Sequence, residues 1–215
     1  MRLFKVYSAL ILSVSLFFFG LSANTSAAST SLLTRGPYLQ MQTDDSITIH
    51  WRTDVATDSV VSFGSSADNL INTVTEAGSR INHAVVLNNL GANQHYWYSV
   101  GDSIGTIAGD NSYHFYTAPI QGDPADTRIW VLGDSGTANS DAIAVRDAYK
   151  LWSDSNPANI VLMLGDNAYN NGTDAEYQAA VFDIYPEILR QLPLWSALDN
   201  HDGHNADSGT QTGPY

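Results

Sequence analysis

The sequence predicts a multidomain β plus α/β chain: a β-sandwich followed by a β-α-β-α-β unit with parallel strands. Three observations predict it. Residues 32–119 fall into short alternating runs separated by turn residues, the pattern of a half-buried antiparallel sheet. Pro119-Ile120-Gln121-Gly122-Asp123-Pro124-Ala125-Asp126 then reads as linker, placed at 120–127, because Gly and Pro interrupt both strand and helix. Over 128–215 the period changes to continuous apolar runs alternating with helical stripes, which implies parallel strands joined by right-handed crossovers.

Composition bounds the function. The chain has 215 residues, 44% hydrophobic and 14% charged, enough for one large domain or two small ones and too apolar for a disordered tract. Acidic residues outnumber basic ones 22 to 9, for a net charge of −13. That balance argues against a nucleic-acid surface, which needs clustered Lys and Arg. There is no cysteine, so disulfides, thiolate zinc sites and Cys nucleophiles are excluded.

Residues 1–28 read as a secretory signal. Arg2 and Lys5 give the positive start, Ala9–Leu21 the apolar run, and Ser26-Ala27-Ala28 the cleavage site;. The run is short of the ~20 residues that span a bilayer. Cleavage would leave the chain secreted or periplasmic, with no membrane anchor.

In the first half, Ile47, Ile49 and Trp51 share one face of a strand over Ser46–Arg52. Ser59–Phe63, Ala84–Leu87, His95–Val100 and Tyr113–Thr117 are further strands, and Gly101–Asn111 reads as loop. Trp51 has the place of an inter-sheet anchor. Leu90 followed by Tyr96 has the form of a tyrosine corner, in which a phenol closes back on the backbone. His50, His83, His95 and His114 are scattered singly and read as packing or surface residues;.

In the second half, Ile129–Leu132, Ile160–Leu164 and Leu194–Leu198 are strands, the first two expected to be buried on both faces;. Between the first pair, Ser140 is the expected cap of a helix with a stripe of Ala144, Val145, Ala148, Leu151 and Trp152;. Between the second pair, Thr173 and Glu176 form a capping box, Val181, Ile184, Tyr185 and Ile188 face one way, and Pro186 marks a kink or a new helix;.

The chemistry follows the strands. Parallel strands put their carboxyl ends on one sheet edge, where ligands bind in open α/β sheets. Those ends carry Gly133-Asp134-Ser135-Gly136, Gly165-Asp166-Asn167-Ala168-Tyr169 and Asp199-Asn200-His201-Asp202. An Asp after a strand is usually a turn or cap; donors at three successive strand ends are a stronger signal. Carboxylates with a phenolate suit a hard, highly charged ion beside a less demanding divalent one, the arrangement for in-line phosphoryl displacement.

Asp134-x-Gly136, Gly165-Asp166-x-x-Tyr169 and Asn200-His201-Asp202 together resemble the metallophosphoesterase superfamily, and Tyr169 points to its purple acid phosphatase branch. Arg35-Gly36-Pro37-Tyr38-Leu39-Gln40 resembles the opening of that family's N-terminal fibronectin III-like domain. The resemblance implies an acid phosphatase acting on phosphomonoesters. Asp134 and Tyr169 would bind Fe(III), Asp166 would bridge to a divalent Fe, Zn or Mn ion, and Asn200 would bind that second ion. His201 would serve the leaving group as donor or general acid, while a metal-bound hydroxide attacks phosphorus.

Two departures stand out. The family has Gly before the Asn-His pair where this chain has Asp199. Its two later histidine motifs are not matched, since the sequence reaches Tyr215 soon after His201 and His204 fits neither. The expectation is therefore an N-terminal fragment that exposes apolar surface and binds metal poorly alone. Competing readings are a phosphodiesterase or nucleotidase of the same superfamily, and a secreted β-sandwich binding module with a degenerate tail.

Overall fold

The computed structural model describes residues 31–207, 209, 210 and 213; the expected signal at 1–28 lies outside them. β1 (Leu33–Gln40), β2 (Ile47–Gly64), β3 (Asn72–Leu87), β4 (His95–Gly101), β5 (Thr106–Ala108) and β6 (His114–Tyr116) precede a chain segment without regular structure. Then follow β7 (Ile129–Leu132), α1 (Ser140–Ser153), β8 (Ile160–Met163), α2 (Asp174–Tyr177), a π-helical turn (Gln178–Phe182), α3 (Pro186–Leu189) and β9 (Leu194–Ser196). The protein is thus mostly sandwich-like sheet with few helices.

The two strands expected at Ser46–Arg52 and Ser59–Phe63 are one strand, β2, broken by a bulge between Arg52 and Thr57. Its first half pairs antiparallel with β1 and the end of β3; its second half pairs with the start of β3 and with β4. A bulge bends and twists a strand, so β2 serves both layers. β1 had no strand signal of its own, and β5 lies inside the stretch expected to be loop.

Alternation fills the space between the layers. Ile47, Ile49, Trp51, Val85 and Leu87 meet Val61, Phe63, Tyr98, Val100 and Phe115 in one buried cluster. Trp51 is almost fully buried, as expected of an anchor. The tyrosine corner forms: Gly91 N–H donates to the Tyr96 hydroxyl at 2.8 Å, and Leu90 is buried beneath.

The four histidines of this half are structural. His83 is buried, its ring 4.6 Å from that of Trp51 and nearly parallel to it. The Thr53 hydroxyl donates to Val55 O, so it accepts from His83 Nε2–H at 2.8 Å. Nδ1 therefore accepts from Ser59 at 2.8 Å. His50 stacks on Tyr38 at 4.9 Å, and His95 and His114 meet edge to face at 4.8 Å.

β7, β8 and β9 form a parallel sheet in that order, with Ile129 opposite Ile160 and Val161 opposite Leu194. One face is buried: Leu132, Val161, Met163 and Leu194 pack under Tyr177, Val181, Phe182, Tyr185 and Ile188. Burial on both faces is not what β7 shows. Ile129 and Val131 are 48% and 49% exposed, because nothing among the described residues covers the second face.

The helix α1 differs in the same way. Its buried residues are Ala142 and Tyr149, and the expected stripe is exposed, with Leu151 78% accessible. Tyr149 attaches it by stacking on Trp130 at 3.9 Å. Asn139 rather than Ser140 is the cap, accepting from the amides of Asp141 and Ala142. An Asn one residue earlier serves the first-turn donors equally well. The capping box at Thr173 and Glu176 is present, and Pro186 opens α3 at a helix-start position;.

β1 joins the two halves. Leu39 belongs to the sandwich core and Tyr38 to the core under the parallel sheet. Leu39 also bridges in parallel to Pro193, just before β9. Among the described residues no helix is long and apolar enough to cross a membrane.

Candidate functional site

Asp134 lies two residues past β7, and Asp166 three past β8. The two loops are knit by backbone bonds: Asp134 N to Gly165 O at 3.2 Å, Gly136 N to Asp166 O at 3.0 Å, and Tyr169 N to Gly136 O at 3.0 Å. Gly136 is required by that approach, since a Cβ there would stand 2.6 Å from Asp166 O. Asp134 and Asp166 both adopt the left-handed region, at φ 52° and 50°, which Asp tolerates better than most residues. Non-glycine residues held there cluster at functional sites.

Tyr169 completes the group. Its hydroxyl lies 2.8 Å from Asp166 Oδ2 and 3.2 Å from Asp134 Oδ1. The hydrogen bond to Asp166, then desolvation and the charge of both carboxylates, push the phenol pKa up, so without a cation it is a neutral donor. Asp166 is buried, and its Oδ1 has no hydrogen-bond partner.

The loop after β9 supplies His201. Its Nδ1 lies 2.6 Å from Asn170 O; a carbonyl only accepts, so Nδ1 carries the proton. Nε2 lies 4.0 Å from Asp166 Oδ2, and the ring meets Tyr169 edge to face at 4.7 Å. Asn200 is on the same loop, exposed, its backbone amide bonded to Asp199 Oδ1 at 2.7 Å. Asp199 is not among the residues at positive φ, so the backbone here does not need the glycine that the family has.

Sequence reasoning missed the residue that ties these loops together. Asp202 is fully buried. Its carboxylate accepts from the Asn167 amide at 3.1 Å, Asn167 Nδ2 at 3.2 Å, the Tyr177 hydroxyl at 2.7 Å and the Asp199 amide at 3.1 Å. It joins the residue after Asp166 to the residue before Asn200. Its position directly after the Asn-His pair was the available signal.

Among the described residues no three His, Asp or Glu side chains are gathered as a cation site. What does assemble is a mixed set, two carboxylates and a phenol, with His201 beside it. That set fits a hard cation by its oxygen donors, and by the buried, unbonded Asp166 Oδ1, a group costly to leave without a partner.

The sequence pattern described as the purple acid phosphatase N-terminal domain matches residues 35–117. No curated protein matches the chain. Among solved structures the chain is similar to PhoD, at 14% identity and a TM-score of 0.59, over 80% of this chain and 40% of that one. It is also similar to the fn3 domain of human contactin 1, at 15% identity and a TM-score of 0.33, over 53% of this chain and 100% of that domain. The chain thus spans well under half the length of PhoD, but the shared fold extends past the sandwich into the parallel sheet. Residues 35–117 thus match the pattern described as the purple acid phosphatase N-terminal domain, and a parallel α/β unit follows whose strand ends present Asp134, Asp166 and Tyr169.

Proposed function

We propose that this chain is the N-terminal portion of a secreted or periplasmic acid phosphatase, and that residues 128–215 begin its metallophosphoesterase domain. Its substrate class would be phosphomonoesters, hydrolysed at a dinuclear centre. The observation that carries the reading is the convergence of Asp134, Asp166 and Tyr169 from adjacent parallel strand ends, with Asp166 Oδ1 buried and unbonded.

In this reading Asp134 and Tyr169 would hold Fe(III), Asp166 would be shared with a divalent Fe, Zn or Mn ion, and Asn200 would serve that second ion. Bound there, the ions would supply positive charge to the phosphoryl oxygens. The chain's own groups have definite tasks. Tyr169 must release the hydroxyl proton now directed at Asp166 before its oxygen can bind a cation. His201 has spent Nδ1–H on Asn170 O, so only Nε2 can serve the leaving-group oxygen. Donation from Nε2 requires the doubly protonated ring.

The test is Asp166→Asn in the full-length protein. Metal content and hydrolysis of a simple aryl phosphate should fall together. An enzyme that kept its activity would exclude Asp166 from a bridging role.

A further inference from the structure

The segment after Tyr169 is gripped from two directions. On one side the Glu176 carboxylate accepts the amides of Asn170 at 2.7 Å, Asn171 at 3.1 Å and Thr173 at 2.9 Å. On the other, Asn170 O accepts from His201 and Asn171 O accepts from Asn205 Nδ2, both at 2.6 Å. Gly172 allows the close fit: a Cβ there would stand 2.7 Å from Asp202 Cα.

Glu176 belongs to α2, and α2 is held by the other domain. Its first residue, Asp174, receives Arg35 Nη2 at 2.9 Å from β1, and Arg52 Nη1 and Nη2 at 2.6 and 2.9 Å from β2. Arg35 is 3% exposed, donates to Gln178 at 2.7 Å and lies 4.1 Å over the Phe182 ring. Exposed ion pairs hold little in place. A buried guanidinium differs, because losing its partners leaves an uncompensated charge.

We propose that the sandwich domain is a positioning element of the metal centre. Arg35 and Arg52 fix Asp174, and with it α2 and Glu176, so that the segment from Tyr169 to Thr173 is presented to Asp134 and Asp166 in one place. This rests on the reading of Tyr169 as a metal ligand. Arg35 and Arg52 touch neither metal nor substrate; they act through Glu176 and the segment it binds.

The test compares the protein with Arg35→Met/Arg52→Met and with the milder Asp174→Asn. Hydrogen exchange is read at amides 170–173, and ferric iron alone is titrated, with bound iron measured by metal analysis of the separated protein and the visible iron–phenolate band followed beside it. Both variants should exchange at least about tenfold faster at 170–173, as the segment opens locally, with β4 and β6 unchanged. They should bind ferric iron roughly 10- to 100-fold more weakly, the usual cost of losing an outer partner of a ligand. Arg35→Lys, with a point charge in place of the fork, should recover only part of both effects. Unchanged exchange, or unchanged ferric affinity, overturns the positioning role. Tyr169→Phe separates the two readings: if it leaves ferric binding intact, the metal assignment falls and the proposal with it. If it weakens binding while the arginine variants do not, only the positioning role falls.

Discussion

Asp202 and Asp166 are both buried carboxylates in one loop cluster, yet their surroundings are opposite. Asp202 is surrounded by donors from Asn167, Tyr177 and Asp199, whereas Asp166 has one oxygen with none. The first arrangement closes a structure; the second leaves room for a cation. Sequence position alone pointed to Asp134, Asp166 and His201, because each follows an apolar strand. It could not separate Asp202 from a ligand, since all but one of the donors that claim it, the Asp199 amide, come from Asn167 and Tyr177, 25 to 35 residues away. Asp202→Asn turns one acceptor into a donor against these N–H and O–H groups. We expect a loss of about 1–3 kcal/mol, the cost of leaving a buried partner unsatisfied, read from chemical denaturation. An unchanged midpoint and slope would remove Asp202 as the staple.

At the scale of elements, alternation was a good guide wherever one face meets a core. It gave the inward residues Ile47, Ile49 and Trp51 of β2. It failed for β1, whose neighbours Leu39 and Tyr38 are buried in different cores, so no single-face pattern exists to detect. It also failed for α1, where an apolar stripe is present but faces outward; periodicity gives the direction of a stripe and not what covers it. Tyr96→Phe keeps the ring and deletes the bond to Gly91. It should cost about 1 kcal/mol, visible as a lower denaturation midpoint, while equal stability would mean the corner is held by packing alone. Leu151→Gln should change stability by no more than about 0.5 kcal/mol, as for other surface positions. A large destabilisation would place Leu151 in contact with something.

The whole molecule should respond to acid in two stages. Burial lowers the pKa of His50 to about 4 from an ordinary 6.5, and also lowers those of His83, His95 and His114. Groups that stay neutral in the folded state while the unfolded chain takes up protons reduce stability as pH falls. The sandwich should therefore lose stability from about pH 6.5 down to about pH 4. Asp174 and Glu176 behave with the same sign at lower pH. Arg52 first, and then Arg35, hold Asp174 at about 2, and the Thr173 amide, with those of Asn170 and Asn171, holds Glu176 at about 2. The stability they contribute is complete above their ordinary values of 3.8 and 4.5 and is lost as pH falls towards 2. Exchange measured across this range should report opening of β2 and β3 first and of residues 170–173 later; the reverse order would contradict these assignments.

The His83 ring supplies a label for following that first stage. With Nε2–H given to a hydroxyl and Nδ1 receiving another, the imidazole is locked in a single tautomer and shielded from solvent. Its side-chain proton should exchange slowly enough to give its own downfield line in a proton spectrum. Because Thr53 lies within the irregular stretch of β2 and Ser59 just beyond it, that line should vanish when β2 opens at this point, whatever remains intact elsewhere.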